Sequence, residues 1–307
     1  MLSGLPLGVL LALGATAFFS GAILISTVAS RRLDSNAGSI LSGVANVAVG
    51  GVLIGLQALA GATWAMPTWR GVVGFVLGGL CGTFLGRWLF FSTIRHLGPT
   101  RATVFQTLSP LAAALMAWVF LGQHLGLEGW LGTLIAAAGL ILLTPRAGLQ
   151  PPASGPSAAS RLALAWGLGS AVAYAAGSLF RSVGVASWNE PMAGATLGSA
   201  FGLAALLLVA RRRLRGVHAQ IRAHPRSTRL FLLVGALQIV AQASLIASLN
   251  HIPVALTVLL TSCTPLLVMP LSAWLLRKDE SLDARAVIGV LITCAGVALA
   301  TAAAAGS

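Results

Sequence analysis

Long apolar runs separated by short polar breaks fill this chain from end to end. A membrane-crossing helix needs about 20 mostly apolar residues, and the pattern predicts ten. Helix 1 covers 5–29, helix 2 38–62, helix 3 71–94, helix 4 100–121 and helix 5 127–144. Helix 6 covers 162–186, helix 7 191–210, helix 8 229–249, helix 9 254–276 and helix 10 285–304. Between the two sets Pro145 closes helix 5. Pro151, Pro152, Ser154, Gly155, Pro156 and Ser157 then form a connector with nothing to bury. The chain is accordingly divided into a unit over 1–145, a linker over 146–161 and a second unit over 162–307.

The two units are copies. A shift of 155 residues places His96 on His251, Thr107 on Ser262, Ser109 on Thr264, Pro110 on Pro265 and Leu121 on Leu276. After a two-residue insertion, Gly132 falls on Gly289 and Gly139 on Gly296. An ordered series of this length points to internal duplication. Five helices per copy is an odd number, so the second copy must enter the membrane inverted. The expected fold is an all-α membrane protein of ten transmembrane helices, built as two inverted five-helix repeats around a central cavity. Inverted repeats of this kind commonly form transporters with a substrate site near the midplane between the halves.

Charge placement adds an orientation. Charged residues make up only 8% of the 307 residues, against roughly 25% in soluble domains. The breaks after helices 1, 3, 5, 7 and 9 hold Arg31, Arg32, Arg95, Arg101, Arg146, Arg161, the arginines from Arg211 to Arg229, and Arg277, Lys278 and Arg285, whereas the opposite side has Arg70 alone. The positive-inside bias puts the rich loops in the cytoplasm and both termini outside. It also accounts for the net charge of +13 without a nucleic-acid partner, since no aromatic-interleaved basic patch accompanies the arginines. All six acids, Asp34, Glu128, Glu190, Asp279, Glu280 and Asp283, lie in or beside polar breaks. Cys81, Cys263 and Cys294 sit in apolar stretches and read as inert packing residues.

Two cations remain inside predicted spans. Arg87, on helix 3, costs at least ~2.5 kcal/mol if central in the bilayer. Either it snorkels to the inner headgroups or it faces a wet cavity and attracts a carboxylate. Its repeat mate is Gln242, and one turn earlier Thr83 pairs with Gln238, so helices 3 and 8 carry polar groups at two matching depths. Arg181, near the outer end of helix 6, reads foremost as a snorkelling residue. Tyr174, the only tyrosine, matches Phe18, and Gly177 matches Gly21. These rings either line a pocket or pack between helices, and Trp88 and Phe91 could join such a wall.

In helices 4 and 9, Gln106, Thr107, Ser109 and Pro110 are echoed by Thr261, Ser262, Thr264 and Pro265. Each proline frees the carbonyl four residues earlier, so the hydroxyls either repair a kink or line a cavity at a bent helix. His96 and His251 belong to tight turns and read as turn-stabilising. The rail of Gly74, Gly78, Gly82 and Gly86, and that of Gly194, Gly198 and Gly202, follow the small-xxx-small pattern of close helix contacts. No G-x-S-x-G, H-E-x-x-H, P-loop or intramembrane acid pair occurs, so no enzyme, cofactor or metal is expected.

The run GPTRATVFQTLSPLAAALMAWVFLGQHL with GWLGTLIAAAGLILL, and its echo IPVALTVLLTSCTPLLVMPLSAWLLRKDESL with IGVLITCAGVALA, resemble the EamA repeat of the drug/metabolite transporter superfamily. The resemblance implies a ten-helix carrier opening alternately to either side. It departs at Gln123, where the usual repeat is acidic and Glu280 keeps the acid in the second copy, and in lacking the first-helix glutamate of the short multidrug members. The resemblance and the residues together point to a monomeric exporter of the bacterial inner membrane, resembling the aromatic and neutral amino-acid exporters and working by facilitated diffusion. The candidate substrate-binding set is Phe18, Thr83, Arg87, Trp88, Phe91, Thr107, Ser109, Tyr174, Gln238, Gln242, Ser262 and Thr264. The competing expectations are an organic-anion or sugar-phosphate exchanger and a non-transporting membrane scaffold.

Overall fold

The computed structural model describes residues 4–30, 32–33, 35–97, 99–143, 158–211, 214–268, 271 and 284–306. The connector over 146–157, Asp34, and the turn with Leu276 and Glu280 lie outside the described residues. Every regular element described is helical. Eight helices are long and apolar enough to cross a bilayer, and the shorter apolar helices Leu127–Leu142 and Val254–Val268 bring the number to ten. Large apolar side chains such as Leu10, Leu59, Phe120, Leu208 and Leu291 stand exposed, while the interior is dominated by alanine and other small residues. That inside-out distribution suits lipid: tails solvate the leucines, and small side chains let helices approach.

Helix 1 runs Leu5–Ala29. Helix 2 runs Ser35–Leu59, ending earlier than the apolar run suggested because Gly61, at φ +78°, turns the chain. Gly61 N–H donates to the Ala58 carbonyl at 3.1 Å and Ala62 N–H to the Gln57 carbonyl at 3.0 Å, closing a Schellman motif. Helix 3 is not uniform. An α-helix over Trp69–Gly78 passes into a π-helix over Gly79–Gly86 and returns to α over Arg87–Leu97. Helix 4 is broken, Pro99–Gln106 and Ser109–Leu121, at Thr107 and Leu108. Helix 9 runs Val254–Ser262 and is interrupted at Cys263, the repeat equivalent of Leu108.

Helix 5 is Leu127–Leu142, helix 6 Ala158–Ser187, helix 7 Pro191–Ala210, helix 8 Pro225–Ser248 and helix 10 Ala284–Gly306. The arginine-rich loop before helix 8, read as a polar break, contains a further short helix, Leu214–Ala223. Val217 and Ile221, one turn apart, pack into an apolar cluster with Leu33, Ala37 and Phe231, so a two-residue apolar stripe was enough to fold it onto the bundle.

Packing follows a pseudo-twofold. Helix 1 lies on helix 8 and helix 6 on helix 3; helix 2 meets helix 8 and helix 7 meets helix 3; helix 9 meets helix 1 and helix 4 meets helix 6. Helices 5 and 10 pair, as do 2 with 7 and 4 with 9. Exchanging the halves turns each of the first six pairs into another of the set and returns each of the last three as itself. The helix 5–10 seam shows it atom by atom. A Cβ built on Gly132 would sit 2.7 Å from the Gly296 carbonyl oxygen, and one on Gly139 would sit 2.8 Å from the Gly289 carbonyl oxygen. With Gly132 equivalent to Gly289 and Gly139 to Gly296, these are one contact seen twice, as an isologous interface requires.

Candidate functional site

Helix 6 organises the polar interior. Ser170, Tyr174, Gly177 and Arg181 recur at intervals of four, three and four residues and so share one face, spanning ~16 Å at 1.5 Å per residue. At one end, Gln106 Nε2 on helix 4, beside its break, donates to Ser170 Oγ at 2.8 Å. One turn on, Tyr174 has the guanidinium groups of Arg87 and Arg181 as electrostatic neighbours. At the other end, Arg181 Nη2 donates to Thr83 Oγ1 at 3.0 Å and to Gln242 Oε1 at 3.3 Å. Helices 3, 4, 6 and 8, drawn from both halves, thus meet along one file.

The helix 3 glycines create the room. A Cβ on Gly177 would lie 2.7 Å from Gly82 Cα, and one on Gly74 would lie 2.7 Å from the Gly184 nitrogen. On the other side of helix 3, Gly79 meets Gly198 of helix 7, and a Cβ on Gly202 would lie 3.1 Å from Thr83 Cβ. The π-turn allows this double use, since one extra residue per turn rotates Gly79 towards helix 7 while Gly82 stays on helix 6. Single-turn π-bulges are frequent at functional sites.

The course of Arg181 is set by the same wall. A Cβ on Gly78 would touch its Cγ at 2.7 Å, and one on Gly82 would lie 3.4 and 3.5 Å from its terminal nitrogens. From Gly78 to Gly82, helix 3 runs away from the end where Ser187 closes helix 6. Arg181 therefore points deeper into the bundle, which corrects the snorkelling expectation. Arg181 and Ser170 are the polar contacts that sequence reading passed over. The signal was present in the 170, 174, 177, 181 spacing.

The remaining candidates are placed as follows. Thr107 Oγ1 donates to the Val104 carbonyl at 2.7 Å, Ser262 Oγ to Val258 at 2.8 Å and Thr264 Oγ1 to Thr261 at 2.7 Å, each mending the backbone near a break. Ser109 is buried at the start of the second piece of helix 4. Gln238 is half-buried, one turn before Gln242. Phe18, Trp88 and Phe91 are 38%, 43% and 37% exposed, so protein contacts leave their rings open. The His96 ring bonds the Ser92 carbonyl at 2.8 Å and packs on Trp166 with centroids 4.7 Å apart.

On the face away from the arginine-rich loops, the turns are linked by hydrogen bonds. Ala65 N–H donates to Glu190 Oε1 at 2.9 Å, Trp188 Nε1 to the Ala65 carbonyl at 3.0 Å and Thr68 Oγ1 to the Ser187 carbonyl at 3.0 Å. Asn250 Nδ2 reaches Asn189 Oδ1 at 2.6 Å, and Val254 N–H donates to Gln123 Oε1 at 3.1 Å. These ties join the turns after helices 2, 4, 6 and 8.

The model of the EamA-like transporter family matches residues 6–144 and 161–302, one match per repeat. A solved crystal structure whose description carries no function matches with a TM-score of 0.70 at 18% identity, covering 97% of this chain and 97% of that chain. At that identity the likeness bears on the fold alone. No curated protein matches the sequence.

Proposed function

We infer the cargo of this protein from one premise: the chain belongs to the EamA-like transporter family, whose model matches both of its repeats. It is a multi-pass membrane transport protein. We propose that it exports small metabolites bearing a carboxylate, aromatic and neutral amino acids foremost, by alternating access and facilitated diffusion. On this reading it is a monomer in the bacterial inner membrane, with periplasmic termini and cytoplasmic arginine-rich loops. One observation carries the proposal. Two guanidinium groups lie inside the bundle, where Arg181 is bonded to neutral oxygens and Arg87 neighbours a tyrosine. Ionisable residues inside a membrane are by default candidates for a substrate or ion pathway, and among the described residues neither arginine is paired with an acid.

The other candidates fit a zwitterion. The hydroxyl protons of Thr107, Ser262 and Thr264 are committed to backbone carbonyls. Towards a ligand these oxygens can only accept, which suits an ammonium group. Arg87, Gln242, Thr83 and Gln238 would face the carboxylate, Ser109 would add a further hydroxyl, and the rings of Phe18, Trp88, Phe91 and Tyr174 would border an apolar side chain. The tied turns on one face supply a closed end, as alternating access requires of one side at a time. Counterflow of labelled phenylalanine and leucine into proteoliposomes tests the proposal. Transient accumulation without a pH gradient is expected, and a strict need for an imposed gradient would overturn facilitated diffusion.

A second reading, an organic-anion or sugar-phosphate exchanger, is favoured by one feature: every acid of the chain lies in or beside a polar break, so none is offered to an ammonium group. Counterflow of phosphate esters with none of amino acids would select it.

A further inference from the structure

The pseudo-twofold brings the same crossing about twice, and the copies are filled differently. Where helix 3 crosses helix 6, Gly82 meets Gly177 and the Arg181 guanidinium fills the space beside them. Where helix 8 crosses helix 1, the repeat mates are Leu237 for Gly82, Gly21 for Gly177 and Ile25 for Arg181. A Cβ on Gly21 would lie 3.7 Å from Leu237 Cδ1, and Leu237 and Ile25 belong to the same apolar cluster. A crossing of this shape is therefore held by plain apolar filling. A cation is not needed for it.

Arg181 is also aimed. Its side chain runs along the Gly78 to Gly82 groove, away from the nearer membrane face. Thr83 and Gln242 both take hydrogen bonds from Nη2, while Nη1 and Nε have no partner among the described residues. A guanidinium presents its N–H donors as a planar fork matched to a carboxylate. With Nη2 held on two neutral acceptors, the N–H groups of Nη1 and Nε remain to donate singly to the oxygens of an anionic ligand, bonds strengthened by the charge.

We propose that Arg181, held over Gly82 by Thr83 and Gln242, binds the substrate's carboxylate alongside Arg87, so that the ligand class is a small organic acid or zwitterion with one carboxylate to place there. This deepens the transport reading and rests on it for passage of the ligand, though not for binding.

The test uses the purified full-length protein and three probes: L-phenylalanine, 3-phenylpropionate, which lacks the ammonium group, and phenethylamine, which lacks the carboxylate. The first two, but not the third, are expected to raise the melting temperature. Arg181→Gln, which leaves a neutral donor on Thr83 and Gln242, is expected to weaken both by about tenfold or more, the loss of a charge-assisted hydrogen bond. Arg181→Lys, which keeps the charge without the fork, falls between. Gly82→Leu, copying the mate crossing, is expected to block the probes. The proposal is overturned if Arg181→Gln binds both carboxylates as the natural protein does, if phenethylamine binds equally well, or if neither carboxylate binds at millimolar concentration. Should Arg181→Gln fail to fold, Arg181→Lys with undiminished affinity overturns it equally. Amino-acid counterflow that survives in Arg181→Gln would leave the transport reading standing and remove this one. Probe binding lost in Arg181→Gln, with no amino-acid counterflow by the natural protein, would do the reverse.

Discussion

The seam between helices 5 and 10 and the crossing of helix 3 with helix 6 are built across the same pseudo-twofold, yet they treat it differently. At the seam, Gly132 against Gly296 and Gly139 against Gly289 keep both copies of the contact. At the crossing, Gly82 and Arg181 answer to Leu237 and Ile25. Backbone-to-backbone packing admits only the smallest residue on both sides, so the seam has no freedom to diverge. A crossing that must fill a groove can do so with hydrocarbon in one copy and with a cation in the other. Symmetry is retained along the helix 5–10 seam, and chemistry enters at the crossing, where a side chain fills the space beside Gly82.

The comparison can be broken most forcefully at the seam. Gly139→Val and Gly296→Val, at equivalent positions of the two repeats, each drive a branched side chain into facing backbone, and overpacking of this kind costs ~3 kcal/mol. Both are expected to lower the melting temperature by similar amounts. Clearly unequal losses would contradict an isologous seam. Next is Ile25→Arg, which places at the mate crossing the cation that its partner crossing accepts. With Leu237 in place of a glycine it finds no groove, and a loss of ~2.5 kcal/mol or more is expected, read as reduced folded yield in size-exclusion chromatography. A normally folded, stable variant would mean that the two crossings are interchangeable.

A smaller effect is expected of Arg87→Gln, which gives helix 3 the residue found at its mate, Gln242. Counterflow is expected to fall about tenfold, from the loss of one charged hydrogen bond, with the melting temperature little changed; unaltered flux would remove Arg87 from the substrate path. The smallest is Gln123→Ala. It frees the Val254 N–H at the start of helix 9 and is expected to cost ~1 kcal/mol in a melt. Gln123→Glu, which supplies the acid of the other copy, is expected to stabilise by ~0.5 kcal/mol at neutral pH through the helix dipole. No difference between the two variants would show that this tie carries no load.

Much of this architecture was legible along the chain. The bounds expected for helix 1 are those observed, and Gly132, Gly289, Gly139 and Gly296, read from the sequence as marks of duplication, are the residues the seam uses, a contact the sequence reading did not foresee. Both are repeated local patterns, and the bilayer enforces them because every span must satisfy its own backbone. The π-helical stretch of helix 3 was not legible, since its cause is the pair of neighbours, helices 6 and 7, that the glycines must meet at once. The helix over Leu214–Ala223 was hidden under its arginines. Its apolar residues, the buried Val217 and the partly buried Ile221, matter only because helices 2 and 8 stand beneath them.

The sequence by itself determined ten spans, their inversion, and the restriction of acids to polar breaks, because hydropathy and charge act on each segment against the bilayer without reference to the others. Only the tertiary structure decided where Arg181 points. A side chain that long can reach the surface or the interior from the same backbone position. The choice was made by a groove of glycines on another helix and by two oxygens from helices 3 and 8, none of them adjacent to Arg181 in the chain.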